Sequence, residues 1–268
     1  MPYKRIENSG DETMVGTFKK TAEITFQVQL AEDIYSMWIR ESQIAAEARP
    51  GQFLSLYCKG GNRLLPRPIS ICEIDRERKS LRLVYRVVGG GTEEFSHYTT
   101  SDTIEVMGPL GNGFYMEGKR PILIGGGIGI PPMLELAKQL NCVNQIVLGY
   151  RDSTFLDKEF EKYGHVYIST EDGSSGTRGN VIDAIKANHL EGDIIYACGP
   201  APMLRGVKAF AEEHGIKAQL SLEERMACGI GACLACVCTS SSKDSHTNVK
   251  NKRICKDGPV FYAEEIEI

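Results

Sequence analysis

The chain has 268 residues, 42% of them hydrophobic and 25% charged, with a formal net charge of -4, a composition typical of a soluble globular protein with room for about two domains. Charges of both signs are dispersed, leaving no basic stripe to track a phosphate backbone, so nucleic acid is not an expected partner. The uncharged apolar stretch Pro121 to Leu134 is broken by glycine and proline and falls short of the ~20 apolar residues that span a bilayer, and the charged N-terminus lacks the apolar core of a signal peptide; a cytoplasmic protein without membrane contact is expected.

Residues 1–18 read as a polar tail. Ile24, Phe26, Val28 and Leu30 then alternate with polar residues, the period of a half-buried strand. Short strand-like runs follow at Met37–Ile39, Gln52–Tyr57, Ile69–Ile71, Leu81–Val87 and Thr103–Val106, separated by Gly, Pro, Asp and Asn turns, which predicts an antiparallel barrel or sandwich over 19–117. Near residue 118 the pattern changes. Apolar runs at Pro121–Ile124, Gln145–Tyr150, His165–Ile168 and Asp193–Ala197 alternate with helical segments at Pro131–Leu140, Val181–Asn188 and Ala201–His214, predicting an α/β unit with a doubly wound parallel sheet over 118–220. From 221 to 268 the chain is rich in glycine and cysteine, then polar from Ser240 to Lys252, and too poor in apolar residues to build a core unaided. A metal centre would supply the missing staple.

Cysteines in a reducing compartment point to metal ligation, catalysis or packing rather than disulfides. Cys58, Cys72, Cys142 and Cys198 are scattered through apolar segments, whereas Cys228, Cys233, Cys236, Cys238 and Cys255 crowd the C-terminal stretch. The spacing Cys228-x4-Cys233-x2-Cys236, with Cys255 further on, is that of plant-type [2Fe-2S] sites, and Gly229, Gly231 and Ala232 allow the backbone to curl around a cluster. A four-cysteine zinc site is the alternative, although its usual grammar is two separated C-x2-C pairs. Cys238 has no place in the four-ligand pattern and reads as a packed small residue.

Three segments of the first unit suit a flavin nucleotide. Arg67-Pro68-Ile69-Ser70 sets a cation and a hydroxyl at a strand start, and Val84-Tyr85-Arg86 lies on a later strand. Gly89-Gly90-Gly91-Thr92 then leads into a helix, where glycine amides and a helix start make an anion site fit for a pyrophosphate. An exposed strand edge with a flexible turn explains the same residues without a ligand. In the second unit, Gly125 to Gly129 stands between a strand and a helix but does not satisfy G-x-G-x-x-G, so its glycines serve either phosphate or close strand-helix packing. Cys198-Gly199-Pro200 closes the last clear parallel strand, with Cys198 either packed or beside a nicotinamide. Glu171-Asp172 lacks basic partners for a 2′-phosphate, which leans towards NAD, with Arg178 nearby. His97, His165, His189, His214 and His246 form no i, i+4 pair and read as surface or turn residues.

Together, R-P-I-S, the G-G-T turn, the Gly125–Pro132 loop, Cys198-Gly199-Pro200 and the terminal cysteines resemble the ferredoxin-NADP reductase superfamily. Within it, Glu224-Arg225-Met226-Ala227-Cys228-Gly229-Ile230-Gly231-Ala232-Cys233 and Cys255-Lys256-Asp257-Gly258-Pro259-Val260-Phe261 are most similar to the electron-transfer subunits of NAD-dependent dihydroorotate dehydrogenases. The resemblance implies a β-barrel holding FAD through Arg67, Pro68, Ile69, Ser70, Val84, Tyr85, Arg86, Gly91 and Thr92. It implies NAD binding near Gly125, Gly127, Gly129 and Cys198, and a [2Fe-2S] cluster on Cys228, Cys233, Cys236 and Cys255. Ile69 stands where the wider superfamily usually carries an aromatic residue on the flavin. It further implies a partner catalytic subunit that holds FMN and oxidises dihydroorotate in pyrimidine biosynthesis, two of each subunit, with electrons passing through this chain to NAD and the cluster at the subunit interface. No catalytic acid or base is expected, since the flavin carries the chemistry. The alternatives are a flavin-iron-sulfur subunit of a sulfide dehydrogenase, hydrogenase or transhydrogenase complex, and a zinc-stapled nucleotide-binding regulator.

Overall fold

A computed structural model describes residues 16–61, 63–243 and 248–268. His246 and most of the expected polar tail lie outside the described residues. Strands β1 (Phe18–Ala31), β2 (Ile34–Arg40), β3 (Phe53–Tyr57), β4 (Arg67–Asp75), β5 (Ser80–Arg86) and β6 (Thr103–Leu110) close into an antiparallel barrel in the order β1-β2-β5-β4-β3-β6. Helices α1 (Ser42–Glu47) and α2 (Gly90–Ser96) are inserted between them. Of the expected barrel or sandwich, closure is the outcome, and it leaves no sheet edge exposed.

The β1 alternation holds only in part. Ala22 and Ile24 point into the barrel, but a register shift between Ile24 and Phe26 turns Phe26 and Val28 outward, where they are 51% and 39% exposed. A one-residue bulge exchanges the two faces of every residue beyond it. Gln27 therefore enters the barrel, where its amide donates to the carbonyls of Phe95, Ser96 and Tyr98 and its oxygen accepts from the Tyr85 hydroxyl.

The second unit comprises β7 (Pro121–Gly126), α3 (Pro131–Gln139), β8 (Asn144–Tyr150), α4 (Asp157–Phe160), β9 (Gly164–Thr170), β10 (Thr177–Arg178), α5 (Val181–Ala187), β11 (Ile194–Cys198), α6 (Ala201–His214) and β12 (Lys217–Ser221). Its sheet runs β10-β9-β8-β7-β11-β12, all parallel. Chain order reverses between β7 and β11, and a doubly wound sheet opens its ligand crevice at the carboxyl ends of such a pair. Cys198 is registered opposite Gly125 there, so the glycine loop and Cys198-Gly199-Pro200 face each other across the crevice.

The C-terminal segment adds β13 (Val237–Ser240), β14 (Asn251–Arg253), β15 (Val260–Tyr262) and β16 (Ile266–Glu267). β13 is flanked by β14 and β16 in a small sheet, while β15 pairs antiparallel with β12 and becomes the seventh strand of the large one. Cys236, Ile254, Cys255, Phe261 and Ile266 consequently pack in the same apolar cluster as α5, α6 and Phe53 of the barrel. A segment with too few apolar residues for its own core thus borrows one.

Barrel and sheet are latched by buried charge. Arg82 on β5 forks onto Glu159 of α4 at 2.6 and 3.0 Å and also reaches Glu73 at 2.7 Å and the Ser36 hydroxyl at 2.9 Å. Glu135 on α3, fully buried, accepts the Ile74 N–H at 2.8 Å. Truncating one partner of a buried pair leaves the others uncompensated, at about 3 kcal/mol. Arg82→Met is therefore expected to lower the thermal unfolding midpoint by several degrees without removing either cofactor, as read by calorimetry beside iron and flavin assays.

Candidate functional site

The cysteine-bearing segment curls because Gly229 and Gly231 take left-handed φ values of 70° and 82° that other residues resist. These turns aim main-chain N–H groups at sulfur. Gly231 donates to Cys255 Sγ at 3.1 Å, Ala232 to Cys228 Sγ at 3.3 Å, and Cys255 to Cys236 Sγ at 3.4 Å. Burial opposes ionisation of Cys228. Even so, the Ile230 N–H, the Cys233 thiol and the N–H groups of Cys233 and Ala232 bring its pKa down to about 6. Burial, then the Cys236 thiol, push Cys255 up to about 12.

The four cysteines fall into two pairs. Cys236 and Cys255 are each 2% exposed and sit in the shared core, while Cys228 is half-buried and Cys233 exposed. Among the described residues no three His, Cys, Asp or Glu side chains converge on one point; a [2Fe-2S] cluster takes two ligands on each of its irons. Donors aimed at sulfur and cysteines arranged in two pairs fit such a cluster. Arg253, absent from the sequence candidates, braces the site together with Asp257. Arg253 binds both Asp257 oxygens at 3.0 and 3.1 Å and donates to the Gly231 carbonyl at 3.3 Å, tying the turn that carries Cys255 to the loop that carries the triplet.

Cys238 lies on β13 opposite Lys252, and burial pushes its thiol up to about 11. It is packed against the shared core. Cys238→Ala is expected to keep its full iron content and to change stability by no more than about 1 kcal/mol, measured by iron assay and thermal unfolding.

The flavin candidates gather around β4 and α2. Arg67 lies across the first turn of α2, so that a Cβ on Gly91 would stand 2.0 Å from its Nε, and one on Gly90 would stand 2.8 Å from Nη2 of Arg63. Only glycine permits that approach. Arg63, absent from the sequence candidates, pairs with Glu94 at 3.0 Å, and Arg67 donates to the Leu65 carbonyl. Two guanidinium groups thus flank the start of α2, whose first N–H groups have no partner within the helix. The Thr92 hydroxyl accepts from the N–H groups of Val88 and Gly89 at 3.0 and 3.3 Å and donates to the Gly89 carbonyl, shaping this turn. On β4, Ile69 packs at the margin of the barrel core and lies opposite Leu54, whereas Pro68 and Ser70 lie opposite Ser55 and Phe53 on the other face. Val84 is buried and Arg86 exposed. Tyr85 points into the barrel, stacked on Tyr35 with its hydroxyl on Gln27, so its side chain serves the barrel and only its main chain is left for a ligand.

In the crevice, Gly129 packs so closely on β11 that a Cβ would stand 2.4 Å from the Cys198 carbonyl oxygen, and one on Gly125 would be 2.9 Å from the Cα of Ile130. Both glycines have a packing reason. Gly127 has a φ of 52° and open space around its Cβ position, which leaves its backbone open to a ligand. The Cys198 side chain is wholly buried; burial and then Glu223 raise its pKa far above an ordinary thiol, against a smaller opposing bond to Ser221, so it is a neutral thiol.

Comparison with known proteins bears on each part. Residues 123–209 match the oxidoreductase NAD-binding domain, and residues 223–267 match the iron-sulfur cluster binding domain of dihydroorotate dehydrogenase B. The electron transfer subunit of dihydroorotate dehydrogenase B (NAD(+)) of Fusobacterium nucleatum is 44% identical over 255 residues, covering 90% of this chain and 95% of that one. This chain belongs to that family of electron transfer subunits. The Listeria welshimeri member is 45% identical over 251 residues, covering 90% and 96%. Among solved structures, one described as the NADH-dependent reduced ferredoxin-NADP oxidoreductase, studied for flavin-based electron bifurcation, superposes with a TM-score of 0.83 at 34% identity, over 92% of this chain and 89% of that one. The chain is accordingly an NAD-linked flavin and iron-sulfur oxidoreductase subunit, with FAD, an iron-sulfur cluster and NAD as its redox groups. No helix among the described residues is long and apolar enough to cross a membrane.

Proposed function

We propose that this subunit connects a catalytic partner, holding FMN and oxidising dihydroorotate, to NAD, in a cytoplasmic assembly of two copies of each subunit. The division of labour follows the expected boundaries, with 19–117 binding FAD, 118–220 NAD and 221–268 the cluster. Arg67, with Arg63 beside it, neutralises the FAD pyrophosphate at the start of α2, where Gly91 and Thr92 shape the turn. Pro68, Ile69 and Ser70 line the isoalloxazine, with main-chain contacts from Val84 to Arg86. Gly127 meets the NAD phosphates, and Gly125, Gly129 and Cys198 hold the crevice that receives the nicotinamide. Cys228, Cys233, Cys236 and Cys255 bind the [2Fe-2S] cluster. Bound FAD supplies the exchange between one-electron chemistry at the cluster and hydride chemistry at NAD.

The observation that carries this reading is the closeness of cluster loop and flavin strand. Gly229, next to the ligand Cys228, abuts Ser55 of β3, and Ser55 is registered directly opposite Pro68. Phe53, registered opposite Ser70, lies in one packed cluster with Cys236 and Cys255. The outer pair, half-buried Cys228 and exposed Cys233, is rimmed by Ile230 and Leu234, 51% and 61% exposed, a surface suited to a partner subunit.

Co-expression with the catalytic subunit tests the proposal. A complex that contains FMN, FAD and iron and reduces NAD with dihydroorotate is expected. The resemblance to the ferredoxin-NADP oxidoreductase structure favours a second reading, a subunit of a transhydrogenase-type complex. That reading would prevail if the chain co-purified with a partner lacking FMN and dihydroorotate activity.

A further inference from the structure

Ser55 and Ser169 are the buried side chains whose hydroxyls find no hydrogen-bond partner among the described residues. An unpaired buried hydroxyl costs about 1–3 kcal/mol, so each calls for an explanation. Ser55 has one nearby. Its neighbours Leu54 and Leu56 turn into the barrel core, which directs Ser55 to the outer wall between Pro68 of β4 and Met107 of β6. There it is 1% exposed, and its Oγ lies 2.9 Å from where a Cβ on Gly229 would stand. Gly229 follows the ligand Cys228 directly. The left-handed turn at Gly229 lays the cluster loop against this hydroxyl, and any side chain at 229 would separate them.

We propose that the Ser55 hydroxyl donates a hydrogen bond to a sulfur of the bound cluster, on its Cys228 side, and thereby raises the cluster's reduction potential. The inference rests on the assignment of the cluster to these cysteines. The cysteines themselves apart, the other donors aimed at their sulfurs are main-chain N–H groups from Ile230, Gly231, Ala232, Cys233 and Cys255, which no side-chain substitution removes. Ser55 is a side-chain donor and comes from the barrel, not from the cluster loop. A donor to sulfur stabilises the reduced cluster, which carries the extra negative charge, and hydrogen bonds to sulfur are among the determinants of iron-sulfur potentials. Because Ser55 sits on the strand paired with Pro68, it tunes the cluster from the side on which the flavin binds.

The test is Ser55→Ala in the complex purified with its partner, compared with wild type by EPR-monitored redox titration, with iron and FAD assayed on the same samples. The variant removes only the hydroxyl. At a fixed solution potential the ratio of reduced to oxidised cluster is expected to fall roughly three- to tenfold, tenfold being 59 mV for a one-electron couple. Pulsed EPR in D2O is expected to show an exchangeable deuteron coupling that the variant lacks. Full iron with an unchanged potential overturns the inference, as does thermal stabilisation of the variant with no change in potential, the behaviour of a hydroxyl that is merely unpaired. If the variant loads no iron, Ser55→Thr, which keeps the hydroxyl, is expected to restore both the iron and the wild-type potential; iron restored at a lowered potential, or not restored, overturns the inference. A wild-type complex without a [2Fe-2S] EPR signal would instead overturn the cluster assignment itself.

Discussion

Cys233→Ser is expected to lose nearly all its iron while keeping about one FAD per chain, and its transfer of electrons from the partner to NAD is expected to fall by at least about 100-fold. A [2Fe-2S] cluster needs four thiolates, and Cys233 is the exposed member of its pair, with no core to hold a neutral hydroxyl in its place. The flavin should survive because its binding residues are set by other packing. Arg67, Gly91 and Thr92 are fixed by barrel strands and α2, and the barrel has its own apolar cluster, centred on Leu54, Leu56, Leu83 and Phe95. The cluster-bearing segment meets the barrel at Phe53 and Leu110, which belong to a different packed cluster. Iron, sulfide and released flavin measured on one sample check the result. Full iron in the variant would remove Cys233 from the ligand set.

Arg67→Ala is expected to weaken FAD binding by roughly 10- to 150-fold while leaving the cluster in place. A hydrogen bond to a charged group contributes about 1.5–3 kcal/mol, and Arg67 is the cation laid directly on the α2 turn. Arg63 is already paired with Glu94, so it compensates only in part. Gly91→Ala is expected to act in the same direction, because its Cβ would occupy a point 2.0 Å from the Arg67 Nε. Flavin retained after gel filtration, with the affinity of the apoprotein for added FAD, gives the measurement. Unchanged FAD affinity in both variants would place the pyrophosphate elsewhere.

What could be read in the sequence was local. Cys228, Cys233 and Cys236 lie within one turn-rich segment, and their spacing alone carried the chemistry; α6, Ala201–His214, has the expected bounds. What escaped was set by partners distant in the chain. β12 was missed because Gln219 breaks its apolar run, yet Gln219 is fully buried and donates to the Tyr115 carbonyl at 2.8 Å, 104 residues away. Arg63 and Ser55 look like ordinary turn and strand residues until α2 and the cluster loop are laid against them. The outward turn of Phe26 comes from a bulge that strict alternation cannot foresee. Tyr85 illustrates the reverse case, a residue marked for the ligand whose side chain serves the barrel. The C-terminal segment looked like a separate module because its few apolar residues complete a core whose other half lies upstream.

The account is tested most directly by a visible absorption spectrum of anaerobically purified protein, with iron, sulfide, zinc and flavin quantified on the same sample. It predicts overlapping flavin and iron-sulfur bands, with about two irons and two sulfides for each FAD. A colourless protein that contains zinc and no flavin would contradict it.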